Sequence, residues 1–487
     1  MKSSFMQDTA VWNKIEDMVQ KTLQLQKKGL ICLDGDFVPS VHYPPITQYD
    51  LMDDERFYEG YTLPADGRVD LYLHFPFCQQ HCTFCHYPGL VGPQLEEKKR
   101  YLGYIEREMD LSLQRLGVEK FRPRSILLGG GTPTFMPPEM LRKYLEMIAK
   151  RIDLDSVRQY NVDLDPNSLL GPDGIERLKI MKDLGVTRLT IGVQSFNDKI
   201  LKKMNRPHNA AQALESIENT VRHGMKVNIE FIYGYPGQTL ENWLETVDMA
   251  CNTPTDEIQL YRLKVKAYGD FQGHILHERE KDPNAIPDFE TTMRMKAAAI
   301  ELMRTYGYKE NLRRVYTRDK KNISQYAYNQ CCNLYDQLGF GLTGFSSLRD
   351  RFCINPQTFE EYYRRIDEGH LPLNRGLVRS PEQEMRWSIV LPMKNMWMIK
   401  QKFQDINGVS FDECFRTKVD RLIKYGLIED TGRKVRLTEL GAFVADEVVE
   451  QFNACEYLPF PREAYADGPL NPYLDNTSAD AHASFAK

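Results

Sequence analysis

Short runs of β-branched and aliphatic residues recur through the middle of the chain: DLYLHFPF, SILLGG, YNVDLD, RLTIGVQ, KVNIEFIYG and EIQLYRLKV, all between Asp70 and Val265. Each of the first five is followed by ten or more residues whose apolar positions repeat at helical spacing, as in EEKKRYLGYIEREMDLSLQRL and AAQALESIENTVRHG. Strands alternating with helices predict βαβ units and a parallel sheet. Six such units predict an α/β fold, a six-stranded partial (β/α)6 barrel rather than a short open sheet. In barrels of this kind the chemistry sits at the C-terminal ends of the strands.

The flanks read differently. Residues 1–67 are expected to form a helix, from about Val11 to Lys28, and then an extended arm carrying the Pro-rich FVPSVHYPPITQYD. The barrel is expected over 68–310, with a further helix near Thr291 to Tyr306, and 311–379 is a connecting segment containing the Gly-rich LGFGLTGFSSL. A mainly helical C-terminal domain with a late hairpin, GLIEDTGRKVRLTELG, is expected over 380–458, followed by a tail over 459–487 whose end is expected to be mobile.

The 487 residues are 42% hydrophobic and 27% charged, ordinary values for a globular chain with a large core. With 63 Lys+Arg against 68 Asp+Glu, the net charge of -5 argues against binding nucleic acid by bulk charge, which outweighs the winged-helix look of FRTKVDRLIKYGLIEDTGRKVRLTELG. No apolar run approaches the roughly 18 residues that would span a bilayer. The opening MKSSFMQDTAVWNKIED is too polar for a signal peptide. The expectation is a cytoplasmic protein with no nucleic-acid or membrane partner.

Five of the ten cysteines, Cys32, Cys251, Cys353, Cys414 and Cys455, are scattered singly and read as small buried apolar residues, and Cys331 and Cys332 are adjacent. Cys78, Cys82 and Cys85 are different, since they fall within eight residues directly after the first strand. Three thiols on a tight loop suit a metal. Zinc would need four ligands, and His74, His81 and His86 stand near enough in sequence to offer the fourth. An iron–sulfur cube with one open iron needs only the three thiolates.

The CxxxCxxC pattern resembles the signature of the radical S-adenosylmethionine (SAM) enzymes, and LYLHFPFCQQHCTFC is similar to their oxygen-independent coproporphyrinogen III dehydrogenase branch. The likeness continues through GGGTPT, VDLDP, GVQSFN, KKMNR, IEFIYGYPGQT and LGFGLTGFSSL, from about Arg68 to Phe452. It implies a [4Fe-4S] cluster on Cys78, Cys82 and Cys85, with SAM chelating the open iron and being split into methionine and a 5'-deoxyadenosyl radical. It also implies an electron donor such as flavodoxin or ferredoxin, and a small-molecule substrate, either a natural product or a tetrapyrrole.

The same resemblance places Tyr72, Phe84, Gly130, Gly131, Thr132, Asp163, Gln194, Arg206 and Glu230 around the first SAM, and Ile232 and Gly234 beside a second. Glycines permit close backbone approach to a ligand, and an arginine can pair a carboxylate bidentately. Three departures matter. Asp163 stands where the dehydrogenase has Glu, Glu230 where it has Asp, and Tyr87 where it has a fourth Cys two positions beyond the third. The missing cysteine turns the expectation from oxidative decarboxylation of a coproporphyrinogen toward the branch's methyltransferases and cyclopropanases, which use the second SAM to transfer a methyl-derived carbon to an sp2 carbon. A haem chaperone or haem-modifying protein is the remaining alternative. No residue is assigned to the transfer itself.

Overall fold

The structure, a computed structural model, describes residues 2–39, 41–87, 89–265 and 274–474, so the end of the expected tail lies outside the described residues. The six expected runs are the strands β1 (Asp70–Phe75), β2 (Ser125–Gly130), β3 (Gln159–Leu164), β4 (Arg188–Gln194), β5 (Lys226–Tyr233) and β6 (Glu257–Arg262). They pair in chain order, every pair parallel. The helices α1 (Leu95–Leu116), α2 (Pro138–Arg151), α3 (Gly171–Asp183), α4 (Ala210–Arg222) and α5 (Leu240–Asn252) follow the first five strands. The expected α/β fold is present, and among the described residues the sheet does not close into a barrel.

The sheet runs on past both ends of this core. Beyond β6 come the short antiparallel strands β7 (Lys309–Leu312) and β8 (Val315–Thr317). On the other side β9 (Gln337–Phe340) lies parallel to β1, and β10 (Phe345–Leu348), β11 (Arg351–Ile354) and β12 (Arg375–Val378) continue antiparallel. Two hydrophobic segments bracket the sheet. The N-terminal helix Thr9–Lys27 packs on α6 (Phe289–Thr305), and the C-terminal region builds on the helices Pro381–Lys394 and Phe411–Lys424 with the small hairpin Ile428–Asp430 and Lys434–Leu437.

The strands alternate in a way that decides where chemistry can occur. Leu71, Leu73 and Phe75 of β1, Val162 and Leu164 of β3, Leu189, Ile191 and Val193 of β4, and Val227, Ile229 and Phe231 of β5 join the large apolar core shared with the helices. Their neighbours in sequence, one position out of phase, point to the opposite face. These are Tyr72 and His74, Asn161 and Asp163, Arg188 and Thr190, Asn228 and Glu230, and Gln259 and Tyr261. They hydrogen-bond one another along a strand, as in Tyr72 with His74, Asn161 with Asp163 and Arg188 with Thr190, and across neighbouring strands, as in Arg188 with Asn161, Asn228 with Gln259 and Tyr261 with Glu230. A polar interior wall inside an apolar jacket is therefore written directly in the period-2 pattern.

Glu108 of α1 shows how the added strands are anchored. Its carboxylate accepts from Gly341 N at 2.7 Å, Asn355 Nδ2 at 2.7 Å and the Tyr362 hydroxyl at 2.6 Å, all in complete burial. Burial pushes its carboxyl up to about 7, against the lowering by these three donors. A raised folded-state value means that the native chain holds this proton while the unfolded chain has lost it. Its contribution to stability is therefore full below about pH 4.5 and lost as pH climbs to about 7, a difference of about 3 kcal/mol. Urea unfolding of Glu108→Gln should lack this component, so the stability difference between wild type and variant should change across that window. A difference that is flat in pH would refute it.

Candidate active site at the strand ends

The chain leaves β1 through Pro76 and enters a loop whose backbone is fixed before any ligand is considered. Phe77 and Cys78 pair with Leu90 and Val91, and Gly92 N donates to Cys78 O at 3.0 Å. Thr83 N donates to Met204 O at 3.2 Å, Asn205 Nδ2 to His81 O at 2.7 Å, and Gln80 Nε2 to Asn205 O. The KKMNR segment is thus the loop's clamp. Asn205 takes the left-handed conformation, φ 54°, that Asn tolerates better than most residues.

The three thiols sit within electrostatic reach of one another. Burial, then Cys85 and Cys82, push the Cys78 thiol up to about 11, and burial chiefly raises Cys85. Arg206 Nη1 donates to Cys82 Sγ at 3.1 Å, while its Nη2 bonds Asp165 Oδ2 at 2.5 Å and Gly192 O at 2.6 Å. Three mutually repelling thiolates in a half-buried loop call for positive charge, and a [4Fe-4S] cluster supplies it. Among the described residues, no three His, Cys, Asp or Glu side chains close on a single ion. Two of the candidate histidines are engaged elsewhere. His74 Nδ1 lies 2.8 Å from the Tyr72 hydroxyl, and His86 Nε2 lies 3.1 Å from Lys264 O. The three thiols suit a cluster, whereas a zinc ion would have to take its fourth ligand from His81, the remaining candidate histidine.

The glycine triplet at the end of β2 meets this loop. Gly131 N donates to Phe75 O at 2.7 Å and Thr132 N to Phe77 O at 2.9 Å. A Cβ at Gly131 would lie 2.8 Å from Cys78 Sγ and 2.6 Å from Phe77 O, and Gly130 has φ 105° with its missing Cβ aimed at the His74 ring. Side chains are excluded here on both counts. Gln194, at the end of β4, has φ 69° and a buried side-chain oxygen with no partner among the described residues.

Asp163 and Glu230, on β3 and β5, face each other across β4. Burial raises Asp163 to about 6, and burial together with the charge of Asp163 raises Glu230 to about 8. Asn161 Nδ2 donates to Asp163 Oδ1 at 2.8 Å, and the Tyr261 hydroxyl to Glu230 Oε1 at 3.2 Å. Tyr87 is 66% exposed, yet its phenol is raised by burial and feels Cys85, Glu230, Asp163 and Arg314. Its electrostatic partners place it at the strand ends, beside the two carboxylates, and the space between these groups is the interior space of the site.

Three expected residues sit apart from that space. Ile232 and Phe84 belong to a small apolar cluster with Ile200, Met204 and Tyr235 beneath the loop, and Gly234, φ 79°, turns its missing Cβ toward Thr292 of α6. Sequence reading missed Asn205, whose clamp on His81 is visible only in three dimensions, and Asp165, which orients Arg206.

Fold and site together define a protein class. Residues 72–250 match the family model of the radical SAM superfamily, so the chain carries a radical SAM domain, with relatives of the HemN and HemW kinds. It is 26% identical over 388 residues to the haem chaperone HemW of Bacillus subtilis, covering 78% of this chain and 98% of that protein. It is 25% identical over 415 residues to the oxygen-independent coproporphyrinogen III oxidase of Helicobacter pylori, covering 82% and 88%. The solved structure of the coproporphyrinogen III oxidase HemN from Escherichia coli superposes with a TM-score of 0.73 at 20% identity, covering 84% of this chain and 96% of that one. A radical SAM domain implies a [4Fe-4S] cluster and SAM. Among the described residues no helix is long and apolar enough to cross a membrane.

Proposed function

We propose that this enzyme uses SAM-derived radical chemistry on a tetrapyrrole held in the interior space beside the cysteine loop. The relatives, haem chaperones and coproporphyrinogen oxidases, support this substrate class better than the expected methyl transfer to another acceptor. The observation that carries the reading is the wall itself. The rings of Tyr72, Tyr326 and Phe345 adjoin, at 6.3 and 5.2 Å from Tyr72, and the cations Arg314 and Lys394 act on one another nearby. The rings are tilted to one another by 39° and 33°, and such aromatic surface with cations beside it suits a large apolar ring system bearing carboxylates.

In this reading Cys78, Cys82 and Cys85 hold the cluster, which supplies the electron that splits SAM into methionine and a 5'-deoxyadenosyl radical. Gly130, Gly131 and Thr132 leave backbone open to the methionine moiety. Asp163, Gln194 and Glu230 offer acceptors to its polar groups, and Arg206 keeps Cys82 oriented. Tyr72, with its hydroxyl fixed on His74, separates cofactor from substrate. A flavodoxin- or ferredoxin-type donor provides the electron. A second SAM near Ile232 and Gly234 gains no support from their packing.

The test is anaerobic turnover of reconstituted enzyme with CD3-labelled SAM and either coproporphyrinogen III or haem. The expected result is 5'-deoxyadenosine together with a tetrapyrrole of altered mass. SAM cleavage that leaves every tetrapyrrole unchanged rejects the substrate class. Deuterium in 5'-deoxyadenosine, with S-adenosylhomocysteine formed, identifies methyl transfer as the reaction. Loss of CO2 with the label retained in methionine identifies decarboxylation.

A further inference from the structure

The N-terminal arm brings one residue to the interior space that none of the motifs accounts for. His42 packs its ring against Phe345, with centroids 4.9 Å apart, and Phe352, 4.4 Å apart. Phe345 in turn lies 5.2 Å from Tyr72, the tyrosine of β1 beside the cysteine loop. The same aromatic wall therefore connects His42 to the strand ends. Phe345 and Phe352 are themselves stacked, 5.9 Å apart at 12°, so the imidazole is held against a fixed aromatic pair.

The imidazole has no structural duty that would explain it. It makes no hydrogen bond among the described residues, and its nitrogens are not sealed within protein. No carboxylate appears among the groups acting on it. Burial and the charge of Lys394 hold it well below the usual histidine range, to about 3, so it is neutral at any working pH. A neutral imidazole with a free nitrogen is the ordinary ligand of a transition metal and the commonest proximal ligand of haem iron. Lys394 and, acting on it, Arg314 place positive charge on the same side of the space.

We infer that His42 is an axial ligand to the iron of a haem-type substrate, so that the tetrapyrrole this enzyme receives is an iron porphyrin. Lys394 and Arg314 are positioned to meet its propionates. The inference rests on the tetrapyrrole reading above and narrows it, because a porphyrinogen has no metal for a histidine to bind.

The experiment titrates haemin, metal-free protoporphyrin IX and coproporphyrinogen III into the full-length, cluster-reconstituted protein and into His42→Ala, recording difference spectra. Wild type should bind haemin with the Soret band of a nitrogen-ligated iron. His42→Ala should lose that band and bind haemin at least about 10-fold more weakly, since loss of an outer-shell partner alone costs about 10- to 100-fold and His42 is the ligand itself. Free imidazole should restore the band. Protoporphyrin IX should bind both proteins alike, which also shows that the variant is folded. An unchanged haemin spectrum and affinity in His42→Ala overturns the ligand while leaving the tetrapyrrole reading intact. So does wild-type binding of protoporphyrin IX with no iron-dependent gain. Parallel loss of haemin and protoporphyrin IX without imidazole rescue makes His42 a wall residue only, and likewise overturns ligation. If wild type binds none of the three compounds, the tetrapyrrole reading itself falls.

Discussion

Replacing Cys78, Cys82 and Cys85 together by Ala is expected to abolish both iron binding and reductive cleavage of SAM, while the chain still unfolds in a transition close to that of the wild-type apoprotein. The activity loss follows because the three thiolates would be the ligands of the cluster, and among the described residues His81 alone of the three nearby histidines is not engaged elsewhere, too few donors to replace them. His74 is committed to Tyr72 and His86 to Lys264 O. The fold should survive because the loop is held by other bonds, from Thr83 to Met204, Asn205 to His81, Gly92 to Cys78 O and Thr132 to Phe77. These use backbone groups and side chains that the substitutions leave in place. Iron analysis, the brown absorbance of the cluster and 5'-deoxyadenosine formation measure the first part, and thermal unfolding measures the second. Retained iron in the triple variant would remove the cluster from this loop.

Arg188→Met should cost about 3–5 kcal/mol of stability, the range for breaking a fully buried ion pair from one side. Arg188 and Glu257 are 2% and 0% exposed, and the guanidinium also donates to Asn161 Oδ1 at 2.6 Å and Thr190 Oγ1 at 2.9 Å. Removing the cation strands the Glu257 carboxylate in the interior. It also removes a charge that lowers both Asp163 and Glu230. Those carboxyls should then titrate higher, and SAM cleavage should need a higher pH in Arg188→Met than in wild type. The double variant Arg188→Met/Glu257→Gln should recover part of the stability, since the stranded charge is gone, but not the pH profile of SAM cleavage. Denaturant unfolding and the pH dependence of 5'-deoxyadenosine formation check the two halves separately. A single variant as stable as wild type would show that the pair is solvated.

The six parallel strands were legible because their alternation is strict. In RLTIGVQ, Leu189, Ile191 and Val193 are core while Arg188, Thr190 and Gln194 are interior polar positions. The strand β9 was not, because its residues QLGF lie in a Gly-rich stretch that local pattern assigns to a loop. Gly339 is there because β10 crosses so close that a Cβ would lie 2.2 Å from Phe345 O. The cysteine triplet and the glycines announced themselves by spacing. The approach of Asp163 to Glu230 and the clamp of Asn205 on His81 join residues far apart in sequence, and no local period encodes such contacts. His42 was invisible for the same reason. It sits in a Pro-rich arm whose composition says only that the chain is extended.

The two ends of the chain fasten to each other. Tyr43 accepts a bond from Ala454 N at 3.1 Å, Leu33 N donates to Ala464 O at 2.8 Å, and Leu470 N donates to Lys28 O at 3.0 Å. The arm that carries His42 is thus fastened at both its flanks to a segment far along the chain, Tyr43 and Ala454 being 411 positions apart. Only a chain already synthesised through that segment can hold the arm in place by these bonds, and a chain cut before Ala454 would leave it tied by its bonds to Arg262 and Arg279.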